Sequence, residues 1–396
     1  MTEPRVPLFD VRLSEEEISA VAQTLRSGWL TMGPRTSSFE DDFAEHLGVR
    51  HAVAVSSCTA ALHLAYLAAG VGPGDEVIVP AITFVASASA ARYCGAQPVM
   101  ADVVGDADLG VDPADVEARI GPRTKAVCAV HYGGYAAAVE ELRALCDERG
   151  LALIEDAAHS PSARPRGSDR KLGTYGLAGC FSFFSNKVLS CGEGGLLATG
   201  DDDVAALARS RRSHAMTSST WDRHRGHAAG YDIVDLGFNY RMDEPRAALL
   251  AARLGGLEAD IESRRRLTLR YRRLLSEVPG VSTPYTDADV DTSSCYVMAV
   301  MLDEGSVREP LRRIMSERHG VQTSVLYPAV HEFTAYASDS DERLPCSEAI
   351  ARRQLTLPLY PHLSDDGQDA VITSLAEGLA ELAPGTEGTL AAPRAR

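Results

Sequence analysis

The chain holds only three lysines among its 39 lysine and arginine residues, and one of them, Lys187, stands where a reactive amine would be useful. It follows the apolar run 179–184 and precedes the glycine-rich turn 192–195. A lysine between a buried strand and a tight turn is expected to be partly buried, which lowers its pKa. The neutral amine that results is the form that attacks an aldehyde to give a Schiff base. We expect Lys125 and Lys171 to be surface charges.

Three further positions carry groups that suit a phosphorylated aromatic cofactor. Asp156 ends the apolar run 151–156, where ligands of open α/β sheets collect, although a carboxylate there also serves as a helix cap. The turn 56–60 (Ser-Ser-Cys-Thr-Ala) joins an apolar run to a helix, so its free amides either bind a phosphate or form an ordinary N-terminal cap. Phe84 follows the run 76–80, where an aromatic side chain either joins the core or covers a flat ring.

Pyridoxal 5′-phosphate needs each of these four features. A lysine binds its aldehyde as an imine, a carboxylate keeps its pyridine nitrogen protonated, a turn anchors its phosphate, and an aromatic side chain fixes the ring plane. Since each feature alone has an ordinary structural explanation, the prediction depends on all four together. The sequence therefore predicts this cofactor, with Lys187 and Asp156 as the catalytic residues.

These residues lie on a regular alternation of short apolar runs and helical stretches. Runs that are apolar throughout and separated by helices are typical of a mainly parallel sheet covered by helices on both faces. The predicted fold class is therefore α/β. Seven strands are predicted, at 51–56, 76–80, 98–102, 126–131, 151–156, 179–184 and 195–199.

The second half of the chain has a different pattern. Residues 245–278 predict one long charged helix, with the arginine run 264–266 on a solvated face. A smaller α+β segment follows, with strands predicted at 295–302 and 321–326 and helices at 307–319 and 364–382. We therefore expect an N-terminal arm (1–14), a large cofactor-binding domain (15–255), a small C-terminal α+β domain (256–384) and a disordered tail (385–396).

The composition argues against several other classes of protein. A net charge of −16 over 396 residues, without a basic block, argues against a nucleic-acid partner or an anionic membrane surface. No apolar run predicts a membrane span, and the first residues do not predict a secretory signal. The eight cysteines form no CxxC pair, and no histidine or cysteine spacing suits a metal. We expect reduced thiols, no metal and a cytoplasmic location.

The sequence resembles the DegT-type sugar aminotransferases, which are pyridoxal-phosphate enzymes of fold type I, over residues 8–382. The segments that carry the resemblance are 27–31 (SGWLT) with Gly33-Pro34, 57–63 (SCTAALH), 74–80 (GDEVIVP) with Thr83-Phe84, 155–159 (EDAAH), 181–187 (FSFFSNK), 192–195 (GEGG), 237–242 (GFNYRM) and 357–361 (LPLYP).

The resemblance implies four contacts to the cofactor ring. Lys187 would bind the aldehyde and later move a proton between Cα of the amino donor and the cofactor. Asp156 would pair with the pyridinium nitrogen. Phe84 would stack on the ring, and His159 would lie near its 3-hydroxyl.

The resemblance also implies how the phosphate is held. The backbone at Cys58 and Thr59 and the hydroxyls of Thr59 and Ser182 would bind it. Asn239 would reach the same phosphate from a second subunit, which would build the active site at a homodimer interface.

Four residues are candidate substrate contacts, namely Thr31, Arg241, Tyr327 and His331. By the resemblance, Arg241 would bind a donor carboxylate through two parallel hydrogen bonds. His331 either faces the acceptor from the small domain or is an ordinary core or surface histidine. The stretch 214–230 is either a solvated loop or a lid whose Arg223, His224, Arg225 and His227 meet phosphates of the acceptor.

The resemblance and the retained lysine predict an aminotransferase. We expect it to move an amino group from glutamate or glutamine to a nucleotide-linked keto-sugar, in amino-sugar or antibiotic biosynthesis. One alternative is a keto-cyclitol acceptor. Another is a non-transaminating enzyme of the same family, such as the sugar dehydratases, in which histidine replaces the lysine. A cofactor-binding protein with a regulatory role is a further class, against which Lys187 argues.

Overall fold

The computed structural model describes residues 4–218, 220–226, 230–337 and 343–383. The helices in these ranges are α1 (Glu15–Ser27), α2 (Pro34–Leu47), α3 (Cys58–Ala68), α4 (Ala86–Tyr93), α5 (Pro113–Arg119), α6 (Val139–Arg149), α7 (Asp202–Arg211), α8 (Thr220–His224), α9 (Glu244–Leu254), α10 (Leu257–Leu275), α11 (Asp287–Val290), α12 (Arg308–His319), α13 (Pro345–Arg353) and α14 (Asp365–Leu382). The strands are β1 (His51–Val55), β2 (Glu76–Pro80), β3 (Gln97–Ala101), β4 (Val103–Gly105), β5 (Asp108–Val111), β6 (Thr124–Val130), β7 (Ala152–Asp156), β8 (Ala178–Ser182), β9 (Gly195–Thr199), β10 (Val281–Ser282), β11 (Met298–Leu302) and β12 (Gln354–Leu357).

A seven-stranded sheet forms the centre of the molecule, in the order β1-β9-β8-β7-β6-β2-β3. It contains all seven strands that the sequence predicts. Four of its six neighbouring pairs are parallel, and β9 runs antiparallel to both β1 and β8. The mainly parallel α/β sheet is therefore confirmed. Because the carboxyl ends of β1, β2, β7 and β8 meet at one edge, the loops after these strands lie side by side.

Both faces of this sheet are buried, which explains why its strands are apolar throughout. In β1, Val53 and Val55 enter one core with residues of α3 and α4. Ala52 and Ala54 enter the core on the other face, together with Phe39 and Phe43 of α2 and residues of α9. Alternate side chains of a strand point to opposite faces, so each run must be apolar at every position.

A smaller antiparallel sheet, in the order β10-β11-β12, lies in the C-terminal part of the chain. Its apolar face packs on α12 and α14, whose buried residues include Leu311 and Leu375. The helices predicted at 307–319 and 364–382 are confirmed as α12 and α14. The strand predicted at 295–302 is present as the shorter β11.

The long helix predicted at 245–278 is wrong, because the chain forms α9 and α10 with Gly255 and Gly256 between them. Glycine within a helix costs about 1 kcal/mol relative to alanine, so a pair of glycines favours a break. The expected solvation of the whole 264–266 run is also wrong. Arg264 is only 4% exposed, and its guanidinium donates to the carbonyls of Tyr296 and Leu359 at 3.3 and 3.2 Å.

The strand predicted at 321–326 is wrong as well. This segment makes only single bridges, between Val6 and Val321 and between Ser324 and Thr356. The strand that pairs with β11 is instead β12. It has only four residues and follows α13 directly, so the sequence pattern did not predict it. The four-part division of the chain stays a prediction, and the tail 385–396 lies outside the described residues. Within the described ranges, no helix has both the length and the apolar character needed to cross a membrane.

Candidate active site

Lys187 lies in the loop between β8 and β9, where its amide donates to the carbonyl of Phe184 at 2.9 Å. The residue is half-buried, and its Nζ lies 4.4 Å from the ring centroid of Tyr296. Burial lowers the pKa of Lys187 to about 8, while the carboxylate of Asp156 limits the fall. A substantial neutral fraction of this amine therefore exists at mildly alkaline pH.

Asp156 ends β7 and is 6% exposed. Its Oδ2 accepts a hydrogen bond of 2.8 Å from the hydroxyl of Ser87, and its Oδ1 accepts one of 3.2 Å from the amide of Ala158. Burial raises the pKa of Asp156, and the bond from Ser87 is the strongest contact that opposes this shift. The carboxyl group is therefore fixed in orientation at the carboxyl edge of the sheet.

The turn after β1 begins α3 with Ser57 as its cap, since the Ser57 hydroxyl accepts from the amide of Ala60 at 3.1 Å. The amides of Cys58 and Thr59 open the helix and have no acceptor within it. Gly195 lies beneath this turn, where an added Cβ would come within 2.2–2.4 Å of the backbone of Ser57 and Cys58. Glycine is therefore required for β9 to pass under the helix N-terminus. Cys58 Sγ lies 3.9 Å from Oδ1 of Asp156, so the turn adjoins the carboxylate.

An aromatic wall stands beside these groups. His159 is 6% exposed, and its ring centroid lies 4.3 Å from that of Tyr296. Its Nδ1 lies 3.2 Å from the amide of Gly133, and its Nε2 lies 3.1 Å from the hydroxyl of Tyr327. Burial, together with the charge of Lys187, holds the pKa of His159 well below its usual range. Tyr327 also contacts Phe84, with 5.6 Å between the ring centroids, and Phe84 is 54% exposed.

Ser182 and Arg241 reach the same edge through their backbone pairing. Ser182 ends β8 opposite Gly195, and Gly195 in turn lies opposite Val55 of β1. Arg241 forms a bridge to Val55 on the free side of β1. Its side chain is half-buried, and one Nη atom has no hydrogen-bond partner among the described residues. Burial lowers the pKa of this guanidinium.

Three other predicted contacts, Thr31, Asn239 and His331, make no hydrogen bond to these groups among the described residues. Thr31 and Asn239 are exposed, and neither shows a contact with the groups above within the described ranges. Asn239 instead bridges Ser213 through its backbone. His331 follows Val330, whose amide donates to the carbonyl of Ala81 just beyond β2. Within the described part of the chain, His331 Nδ1 is buried without a hydrogen-bond partner.

Two described residues of the stretch 214–230 pack against Trp29 of the segment 27–31. Trp29 contacts Trp221 and His224, with 4.7 and 4.6 Å between ring centroids. Arg223 donates to the carbonyl of Ser218 at 2.7 Å. His227 lies outside the described residues. Trp221 and His224 therefore cover Trp29, which belongs to one of the segments that carry the family resemblance.

Sequence reasoning missed Ser87, Tyr296 and Gly133. Ser87 lies in the first turn of α4, four residues after Thr83. The helix consists largely of alanine and serine, and this composition does not indicate which serine bonds a buried carboxylate. Tyr296 and Gly133 belong to segments far from Lys187 and His159 in the chain, so only the fold brings them near. Among the described residues, no group of three or more metal-ligating side chains comes together.

The residues present fit pyridoxal phosphate. The amine of Lys187 suits its aldehyde, the carboxylate of Asp156 suits its ring nitrogen, and the free amides above Gly195 suit its phosphate. Phe84 leaves about half of its surface uncovered for a ring. The fold and the site define the class as a pyridoxal-phosphate enzyme built on an α/β sheet.

Comparison with known proteins specifies the family. A model of the DegT/DnrJ/EryC1/StrS aminotransferase family matches residues 11–376, so the chain belongs to this family, whose aminotransferases use pyridoxal phosphate. It is 36% identical over 372 residues to the spore coat polysaccharide biosynthesis protein SpsC of Bacillus subtilis (strain 168), covering 92% of this chain and 95% of that protein.

Solved structures agree with this assignment. The aminotransferase TlmJ from Streptoalloteichus hindustanus superposes with a TM-score of 0.88 at 38% identity, covering 96% of this chain and 100% of TlmJ. DesI, solved in the presence of its TDP-sugar product, gives a TM-score of 0.84 at 31% identity, covering 96% and 95% of the two chains. The fold of type I is therefore confirmed, and the protein is an aminotransferase of a sugar-modifying family.

Proposed function

We propose that this protein transfers the amino group of glutamate or glutamine to the keto group of a nucleotide-linked sugar, with the cofactor bound to Lys187. The observation that carries the proposal is the pairing of two groups at one sheet edge. Lys187 is a half-buried amine whose pKa is lowered to about 8, and Asp156 is a buried carboxylate close enough to affect that pKa. Sites with such perturbed pairs are typical of catalysis.

The groups around this pair hold the cofactor. The amides of Cys58 and Thr59, with the hydroxyls of Thr59 and Ser182, bind the phosphate at the start of α3, where the helix dipole favours a negative charge. Phe84 covers one face of the ring, and His159 lies at its 3-hydroxyl. Asp156 pairs with the ring nitrogen, and Ser87 and Ala158 fix the direction of that carboxylate.

Lys187 also moves the proton of the reaction. When bound, pyridoxal phosphate supplies an electron-withdrawing ring that stabilises negative charge at Cα of the amino donor. The Nζ of Lys187 would accept the proton from Cα of the amino donor and would donate a proton in the return direction. A pKa of about 8 suits this exchange, because general acid–base catalysis is most efficient when the pKa lies near the working pH.

A second copy of the chain completes the site in this proposal. Asn239 is exposed and follows a run of exposed apolar side chains that includes Ile233, Val234 and Leu236. Contiguous exposed apolar surface is typical of a protein interface. Asn239 of a homodimer partner would then reach the phosphate. The Nη atom of Arg241 that has no partner among the described residues would receive the donor carboxylate.

The nucleotide-linked acceptor is supported by the similarity to DesI, whose product is a TDP-sugar. Thr31, Tyr327 and His331 stand as acceptor contacts, and the stretch 214–230 stands as a lid. We place the reaction in amino-sugar or antibiotic biosynthesis in the cytoplasm.

The test follows the absorbance of the lysine-bound cofactor in purified holoenzyme. Glutamate or glutamine without acceptor should abolish the band, and the correct keto-sugar should restore it. A return of the band with keto-cyclitols alone would assign the other acceptor class. Absence of change with every common amino donor would contradict transamination. Lys187→Ala is the control, since it keeps the phosphate turn and should bind cofactor without turnover.

A further inference from the structure

The hydrogen bond between Gly133 and His159 fixes the protonation of the imidazole. The donor is a backbone N–H, which cannot accept, so His159 Nδ1 must carry a lone pair at 3.2 Å from it. The amide itself is held in place, because the carbonyl of Gly133 accepts from the amide of Tyr296 at 2.9 Å and the next amide, of Gly134, donates to the carbonyl of His131 at 3.1 Å. His159 is therefore not a cation in this arrangement.

A neutral imidazole that accepts at Nδ1 must carry its hydrogen on Nε2. That atom lies 3.1 Å from the hydroxyl oxygen of Tyr327, so His159 donates and Tyr327 accepts. The surroundings keep the ring neutral, since His159 is buried against Tyr296 and near the charge of Lys187. The hydroxyl hydrogen of Tyr327 therefore points away from His159.

Tyr327 has no other hydrogen-bond partner for that hydrogen among the described residues. The ring of Tyr327 lies beside two aromatic rings, with centroid distances of 5.6 Å to Phe84 and 6.3 Å to Tyr132. Burial holds the pKa of Tyr327 well above its usual range, so the hydroxyl keeps its hydrogen. Since the protein supplies no acceptor for it among the described residues, this donor is available to a ligand oxygen.

We propose that Gly133, His159 and Tyr327 form a one-way hydrogen-bond chain that presents the hydroxyl of Tyr327 as a donor to an oxygen lone pair in the active site. This inference rests on the proposed function. The oxygen belongs either to the 3-oxygen of the cofactor or to the carbonyl or hydroxyl group of the acceptor sugar. Tyr327 is a specificity residue under this proposal, because it favours a ligand with an oxygen lone pair at that point.

The first experiment measures the tautomer of His159 directly. Holoenzyme labelled with ¹⁵N-histidine is examined by NMR, and the His159 signals are assigned by their loss in His159→Gln. We expect the pattern of a neutral ring protonated on Nε2, without change between pH 6 and pH 9. A ring protonated on Nδ1, or on both nitrogens, would overturn the proposal. This result does not depend on which substrate the enzyme uses. It therefore tests the hydrogen-bond chain independently of the proposed function.

The second experiment uses Tyr327→Phe, which keeps the ring and removes the donor. If the acceptor atom is the cofactor's 3-oxygen, the absorbance of the resting holoenzyme shifts and KM for the sugar stays the same. If the atom belongs to the sugar, the absorbance is unchanged and KM for the sugar rises about 2- to 10-fold, the range for one neutral hydrogen bond. Tyr175→Phe is the matched control, a buried tyrosine whose hydroxyl bonds Ser168 at 2.8 Å. If Tyr327→Phe changes neither quantity relative to this control, the proposal is wrong.

Discussion

The hydroxyl of Ser87 donates a 2.8 Å hydrogen bond to Oδ2 of Asp156. Ser87 is fully buried on α4, and Thr83 Oγ1 lies 3.2 Å from its hydroxyl oxygen. Because burial raises the pKa of Asp156, this bond is the main contact that favours the ionised carboxylate. Ser87 is therefore a positioning residue for the acid that faces the cofactor in our proposal.

Replacement of Ser87 by alanine should raise the pKa of Asp156, since a hydrogen bond to the charged form is lost. We expect the rate of the donor half-reaction to fall by about 10- to 150-fold, because a hydrogen bond to a charged group contributes ~1.5–3 kcal/mol. The acidic limb of its pH profile should move to higher pH. Stopped-flow absorbance across pH measures both effects. Ser89→Ala, on the same helix but bonded to Tyr336, is the control. An unmoved acidic limb would count against this role.

The lowered pKa of Lys187 should be visible in the apoprotein. Reductive methylation reacts with neutral amines, so the rate at Lys187 should rise with pH with a midpoint of about 8. Mass spectrometry of the peptide that contains Lys187 measures the rate, and the exposed Lys125 corrects for loss of reagent. A rate that still increases tenfold per pH unit above pH 9 would show that burial does not lower this pKa.

Gly195→Ala should disrupt the phosphate turn. The added Cβ would meet the backbone of Ser57 and Cys58 at 2.2–2.4 Å, so either the turn or β9 must shift. We expect the Kd for cofactor to rise at least 10-fold, with a lower Tm. Fluorescence titration and thermal unfolding check these values. Gly200→Ala is the control, since no described atom lies within 4 Å of the added Cβ. It should leave the Kd for cofactor unchanged and alter the free energy of unfolding by no more than about 0.5 kcal/mol. Equal behaviour of the two variants would refute the close contact.

Acid should destabilise the fold through His63. Burial, with the charge of Arg211, lowers the pKa of His63 to about 4. The unfolded chain therefore binds a proton that the folded chain does not bind between about pH 6.5 and 4. Stability from this group is complete above pH 6.5 and is lost as the pH falls toward 4, by up to about 3 kcal/mol. Urea unfolding should show a smaller loss for His63→Gln over this window. Parallel curves for the two proteins would contradict the prediction.

The sequence was sufficient to predict the strands of the large sheet, because each strand follows the same local pattern. Each strand of the large sheet is a short apolar run, and Lys187 and Asp156 stand at the ends of two such runs, where a parallel sheet collects its ligands. The break at Gly255 and Gly256 was not predicted, although a pair of glycines disfavours a continuous helix.

Other features depend on distances between remote segments. The bond from Ser87 to Asp156 requires α4 to pack over the end of β7. The sequence of α4 does not indicate that β7 is its neighbour in the fold. Tyr296 lies over the amine of Lys187 because the loop before β11 folds back on the large sheet. Arg264 is buried because its guanidinium donates to two backbone carbonyls from remote segments. A run of three arginines in the sequence does not indicate that such acceptors are present.

Borohydride reduction of the holoenzyme followed by peptide mass spectrometry tests whether the cofactor is joined to Lys187. We expect the mass of the reduced cofactor on the peptide containing Lys187 and no modification of the peptides containing Lys125 and Lys171. Cofactor mass on either of those two lysines, or on none of the three, would contradict this expectation.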